Sequence, residues 1–196
     1  KTTTTTTTTS DELVKKPPKR SCAVVPENLI DSTKTVTAMP DVEREHVQKV
    51  YDIVARQWHG TRYRAWTGVE AFVRKQPPGC LVADVGCGNG KNIPEVVAGG
   101  GIALGSDFSR GLIEICCDTG YEVMVADAVL LPYRSSVFDY ALNIAVLHHI
   151  SSPERRVELV KETMRVVRVG GRALFYAWAL EQDQGGVSGH QFQGQD

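Results

Sequence analysis

The residues with the clearest chemical signature lie in Leu81 to Gly90, which reads Leu-Val-Ala-Asp-Val-Gly-Cys-Gly-Asn-Gly. An apolar run that breaks into alternate glycines, Gly86, Gly88 and Gly90, reads as a buried strand turning tightly into a helix from Lys91. Glycine is expected there because a Cβ would hold a ligand away from the backbone. Cys87 and Asn89 complete the loop, and Asp84 stands two residues before the first glycine. A second apolar run, Ile102 to Ser106, ends in Asp107, whose two carboxylate oxygens match the spacing of a ribose diol. The competing role for Asp107 is an N-cap of the next helix, although Ser109 is available for that. A third run, Tyr121 to Ala126, ends in Asp127-Ala128. A fourth, Phe138 to Ala145, leads into Val146-Leu147-His148-His149, at the edge where ligands collect in open parallel sheets.

The elements that must position these residues follow from the apolar spacing. Val47, Val50, Tyr51, Val54 and Trp58 predict an amphipathic helix after Asp41, and Thr67 with Glu70 predicts a capping box for a short helix stopped by Pro77-Pro78. Leu112, Ile113 and Cys116 mark a helix closed by Gly120, with Ser109 near its start. Ser152 and Pro153 open another, with Val157, Val160, Met164 and Val167 on its apolar face and Gly170-Gly171 as its stop. Arg172 to Ala179 is the fifth strand, apolar enough to be buried on both faces. Strands and helices alternating at these lengths specify an α/β fold with a doubly wound parallel sheet.

Composition narrows the class further. The 196 residues are 42% hydrophobic and 23% charged, the profile of one ordinary globular domain. A formal net charge of -1 gives no global attraction to nucleic acid. The five cysteines form no Cys-x-x-Cys pair and no metal-ligand spacing, so no metal is expected, and an odd count fits a reducing cytosolic or nuclear setting. No apolar run reaches the roughly 18 residues that a membrane span needs. Residues 1–40, with eight threonines from Thr2 to Thr9 and the basic cluster Lys15 to Arg20, are expected to be disordered. The basic cluster reads as a solvated charge run, with a nuclear address or an RNA-contacting arm as the functional alternative.

An acid at the end of the first strand followed by Gly-x-Gly-x-Gly resembles the nucleotide loop of class I S-adenosylmethionine methyltransferases. Narrower motifs are Thr61-Arg62-Tyr63-Arg64-Ala65-Trp66, Ile144 to His149 with Glu154-Arg155-Arg156, and Tyr176 to Gln182. With these the chain resembles, from about Glu43 to Gln182, the eukaryotic tRNA wobble-uridine 5-carboxymethyl methyltransferases, also found fused to an AlkB-like protein. The resemblance implies a Rossmann-like class I fold and methyl transfer from S-adenosylmethionine to the carboxylate of 5-carboxymethyluridine. It implies that Asp84, Gly86, Cys87, Gly88, Asn89, Gly90, Asp107, Asp127, Ala128 and Ala145 bind the cofactor, with Asp127 facing the adenine amino group and Trp66 and Tyr63 covering it. It also suggests that His148 or His149, with Arg62 and Arg64, holds the substrate carboxylate or a nearby phosphate. That carboxylate needs no strong base, because at a reference pKa near ~4 it is already ionised at neutral pH.

The same resemblance implies two partners, tRNA and a small zinc-binding activator subunit that adds a strand to the sheet edge at Tyr121 to Ala126. A methyltransferase of the quinone or sterol type shares the loop but would carry an apolar cap, whereas Arg62 to Trp66 is polar and basic. The expected domain spans residues 41–182. Beyond Gln182 the Gly/Gln-rich stretch to Asp196 departs from the family, so the last two strands of the usual seven are expected to be missing. On that reading the chain binds S-adenosylmethionine weakly and transfers methyl groups slowly or not at all, as a truncated form that holds cofactor or partner only.

Overall fold

The computed structural model describes residues 23–24, 36–59 and 65–178. Arg62, Tyr63 and Arg64, the basic cluster and the Gly/Gln-rich stretch lie outside the described residues.

Five parallel strands carry the architecture: β2 (Leu81–Val85), β3 (Ile102–Asp107), β4 (Val123–Val125), β5 (Phe138–Ile144) and β6 (Val167–Tyr176). Their spatial order is β4-β3-β2-β5-β6, a doubly wound parallel sheet of the kind the alternating pattern predicts, and β1 (Ala23–Val24) adds in parallel outside β4. In β2 successive side chains point to opposite faces, and both faces are covered. Val82 packs with Val69, Val73, Ile93 and Val96, which come from α3 (Thr67–Val73) and α4 (Ile93–Ala98). Ala83 and Val85 pack on the other side with Phe138, Ala141 and Val166, the last from α6 (Pro153–Val166).

The helix α5 (Arg110–Thr119) follows its sequence signals, since the Ser109 hydroxyl accepts from the Leu112 N–H and Gly120 closes the helix in the left-handed region. Other local expectations need correction. The capping box at Thr67 and Glu70 does not form; Trp66 is the N-cap with no side-chain cap, and Glu70 pairs with Arg74 one turn on. On α6 the expected apolar face holds only at Val160 and Val167. Val157 and Met164 are exposed, while Leu159, Thr163 and Val166 are buried with Arg155 and Glu162. The pattern misled because Arg155 and Glu162 turn inward to bind backbone groups and oppositely charged partners, while Val157 and Met164 turn outward and Val160 stays half-buried against Val129 and Ile150. Gly170-Gly171 does not stop α6 either. The helix ends at Val166 and runs directly into β6, where Gly170 at φ 81° absorbs a register shift against β5 and a Cβ on Gly171 would lie 2.5 Å from the Asp139 carbonyl oxygen.

The N-terminal helix also departs from its pattern. It opens as α1 (Asp41–Glu43), winds through a π-helical stretch at Arg44–Gln48 and continues as α2 (Lys49–His59). That wider turn breaks the 3.6-residue phase. Val50 is exposed, and Glu43 and Ala55 are buried instead. Polar side chains fasten this helix across the loops at the strand ends. The order also starts before residue 41, since residues 36–40 precede α1 as a turn and Ala23–Val24 lie in the sheet, so the expectation of disorder over residues 1–40 does not hold at these places.

Candidate active site

The loops that leave the C-terminal ends of β2, β3, β4 and β5 enclose a cleft of about 370 Å³, within the range of small-ligand sites. Gly86, Cys87, Gly88 and Asn89 form one wall, and Asp107, Asp127 and Ala128 form the next. Ala145, His148 and His149 close the far side, with Trp66 at the mouth. The sheet therefore brings together most of the residues that the spacing singled out.

Two of them are elsewhere. Asp84 is buried beneath the cleft and does not line it; its carboxylate accepts from the Asn92 side-chain amide at 3.3 and 3.4 Å. Burial pushes its pKa up to about 7 against the pull of Asn92 and Lys91. Gly90 is also outside the lining, and a Cβ there would lie 2.7 Å from the Tyr121 ring. At Gly86 a Cβ would collide with the Val146 side chain, and the backbone φ is 73°. The glycines at 86 and 90 are thus required by backbone conformation and by packing, whatever ligand approach adds at Gly86 in the cleft wall. The Cys87 thiol is buried against Cys116, which raises its pKa well above the ordinary value and leaves it an unreactive packing group.

Asp107 and Asp127 are held as acceptors. Asp107 Oδ2 accepts from the Gly88 N–H and Oδ1 from the Ser109 N–H, both at 2.9 Å, which leaves further lone pairs on each oxygen. Burial raises its pKa to about 6, partly offset by those two N–H groups. Asp127 Oδ1 accepts from the Val129 N–H at 3.1 Å, and Oδ2 accepts from Arg155 Nη2 at 2.9 Å. Its pKa is raised by burial against the opposing charge of Arg155. Ala145 sits at φ 63°, a left-handed conformation that costs a non-glycine residue about 1–2 kcal/mol, and its N–H bonds to the Tyr176 carbonyl. Such strain at a cleft wall is a mark of functional positioning.

His149 is not a cationic anchor. Burial, reinforced by His148, pushes its pKa down to about 4, and Nε2 shares a hydrogen bond of 3.0 Å with the Tyr51 hydroxyl. Burial also lowers the pKa of His148, which stacks at 4.3 Å on His149 and meets Trp178 edge-on. Among the described cleft residues the lasting positive charge is Lys91, with Nζ 4.6 Å from the Trp66 ring centre. Sequence spacing missed Lys91, Asn92, Tyr51 and Trp178. Lys91 and Asn92 were hidden in what read as an ordinary helix start, and Tyr51 in what read as an apolar stripe.

The whole N-terminal helix acts as a brace over these loops. Gln48 Nε2 donates to the Phe108 carbonyl, Asp52 Oδ1 accepts from Ser109 Oγ and the Gly111 N–H, and the His59 ring meets the Asn89 side chain.

The comparisons fit this geometry. A family described as a methyltransferase domain matches residues 83–175. A tRNA (carboxymethyluridine(34)-5-O)-methyltransferase of Arabidopsis thaliana is 43% identical over 78% of this chain and 37% of its own length. The enzyme of the same name from Saccharomyces cerevisiae is 42% identical over 79% of this chain and 55% of its own length. The chain carries a methyltransferase domain and is similar to these tRNA methyltransferases over about four-fifths of its own length. It spans about a third to a half of the length of these curated relatives. Among solved structures, magnesium protoporphyrin IX methyltransferase from Synechocystis PCC 6803 with bound SAM has a TM-score of 0.54 at 19% identity, over 66% of this chain and 73% of its own. A complex of the Haloferax volcanii Trm112 methyltransferase activator with a methyltransferase gives 0.53 at 17% identity, over 64% and 57%. These two establish the class I fold.

The family's cofactor is S-adenosylmethionine, and the cleft residues suit it. Asp107 keeps acceptor capacity for a ribose diol, and Asp127 for an amino group. Asn92 Oδ1 is buried with no partner among the described residues, an acceptor suited to an ammonium group at the cleft floor.

Proposed function

We propose that this protein methylates the carboxylate of 5-carboxymethyluridine at the wobble position of tRNA. The observation that carries this reading is the division of the cleft. On one side are the acceptors Asp107, Asp127 and Asn92, which suit a nucleoside cofactor, and on the other are Lys91 beside Trp66 and a histidine pair held neutral. S-adenosylmethionine supplies an electrophilic methyl group when bound. The protein's own part is then to place an anion in line with that methyl group and to exclude water, which can contribute about 7–11 kcal/mol of the barrier. No proton has to be removed from an ionised carboxylate. The low basicity of His149 therefore costs nothing, whereas an amine or hydroxyl nucleophile would call for a stronger base. Lys91 attracts the carboxylate, His148 and Trp66 frame it, and Arg62 and Arg64 are the further anion contacts that the sequence suggests.

The activator subunit is proposed to add a strand at the β4 edge, in the position that Ala23–Val24 takes here. Docking then requires these two residues to leave Met124 and Val125.

The test is transfer of labelled methyl from S-adenosylmethionine to tRNA bearing carboxymethyluridine, by the complete protein with its activator. The expected product is a base-labile ester on that nucleoside, with Lys91→Ala raising KM about tenfold through loss of a charge contact. Label on a ring nitrogen, or transfer to a lipid-like acceptor in place of tRNA, contradicts the proposal.

A further inference from the structure

Arg155 is buried to 2% exposure, yet it makes more polar contacts than any cleft residue described above. Nε and Nη2 reach the Glu43 carboxylate at 2.9–3.2 Å, and Nη1 donates to the carbonyls of Val36 and Ala38 at 2.6 and 2.9 Å. Nη2 also donates to Asp127 Oδ2 at 2.9 Å. Glu43 in turn accepts from the Ser151 N–H and hydroxyl, just past the histidine pair. One guanidinium thus joins the segment before α1, the loop after β5 and the carboxylate that faces the cleft after β4.

We infer that Arg155 is a positioning residue for cofactor selectivity, fixing Asp127 as a pure acceptor so that the cleft takes a 6-aminopurine and rejects a 6-oxopurine. The argument is one of donor and acceptor count. The Val129 N–H occupies one Asp127 oxygen and Arg155 Nη2 the other, so the carboxylate plane is set by two donors on different elements. The guanidinium on Oδ2 favours the ionised form against the pull of burial, and what that form offers the cleft is lone pairs. An amino group satisfies them, whereas a carbonyl oxygen would meet them as like against like. Without Arg155 the buried Asp127 would take up a proton or turn, and a protonated carboxyl can donate to an oxo group. This inference rests on the cofactor reading of the cleft and extends it to a residue outside the lining.

Calorimetry of the complete protein with S-adenosylhomocysteine and with its inosine counterpart reads the effect as an affinity ratio. The wild type is expected to prefer the amino compound by about a hundredfold, in line with loss of one hydrogen bond plus an unpaired polar contact. Glu43→Gln weakens the brace while leaving the Arg155–Asp127 contact, so both affinities fall together and the ratio holds. Glu43→Gln with Arg155→Gln leaves no buried unpaired charge on Glu43 and removes the donor to Asp127. Its ratio is expected to collapse to within about threefold. Arg155→Lys, which keeps a cation but not the fork, serves as a second variant should the double one not fold, and is expected to lower the ratio at least about fivefold. A wild-type ratio retained in a folded double variant, or in Arg155→Lys if only that folds, overturns the inference. So does a ratio that collapses equally in Glu43→Gln. A wild type that binds neither compound overturns the cofactor reading and this inference with it, whereas one that binds both equally overturns the inference alone.

Discussion

At Gly86 two constraints coincide, a φ of 73° and a Cβ direction that points into the Val146 side chain. Gly86→Ala is therefore expected to destabilise the protein by about 2–4 kcal/mol, from left-handed strain of about 1–2 and overpacking of about 1–3 kcal/mol. Adding Val146→Ala should recover about half of that loss in denaturant midpoint, because it relieves the collision but not the strain. If Gly86 served only ligand approach, the second change would recover nothing. This residue shows what sequence does and does not reveal. The alternating glycines and the acids at 107 and 127 were legible because backbone conformation and acceptor chemistry leave few residue choices. What each glycine faces was not, since Val146 and Tyr121 are distant in the chain and reach the loop only through the fold. Titration state was equally hidden: His149 reads as a candidate anchor until its burial, and with it a pKa of about 4, is known.

At the scale of elements, the helix over residues 41–59 is held by polar contacts to successive loops more than by an apolar stripe. Asp52 is its central fastening, with hydrogen bonds of 2.6 Å from Ser109 Oγ and 3.0 Å from the Gly111 N–H. Asp52→Ala leaves two donors short of their acceptor, and a cost of about 1–3 kcal/mol is expected. Hydrogen exchange should show faster opening of residues 49–59, with β2 and β5 unchanged; uniform protection across α2 would contradict this role. The strands and the β–α alternation were readable because buried parallel strands demand continuous apolar runs. The faces of the helix over residues 41–59 and of α6 were not. There the inward residues are Glu43, Arg155 and Glu162, whose burial is made tolerable only by partners on other elements that no local pattern announces.

Across the whole molecule, one sheet organises two kinds of edge. Its C-terminal ends gather the cleft, while its lateral edge at β4 is occupied by Ala23–Val24 from a part of the chain that composition marked as structureless. A two-residue pairing carries no periodicity, so composition could not reveal it. The central claim is that the cleft holds S-adenosylmethionine with Asp107 on the ribose. Asp107 has a pKa of about 6 without ligand, and the ionised form is the one that accepts two hydroxyl donors. Binding therefore favours loss of the proton, and affinity must fall as pH drops below that value. Asp84, with a pKa of about 7, lies beneath the cleft and is raised in part by the Asp107 charge, so Asp107→Asn moves any contribution of Asp84 to lower pH and only makes the variant's profile flatter. The decisive measurement is calorimetric titration with S-adenosylhomocysteine from pH 8 to pH 5, on the wild type and on Asp107→Asn. The account predicts tight binding at pH 8, a decline approaching tenfold per unit below about pH 6, and a weaker, flatter profile for the variant. Affinity that ignores pH in the wild type, or an Asp107→Asn profile that coincides with it, would contradict the assignment.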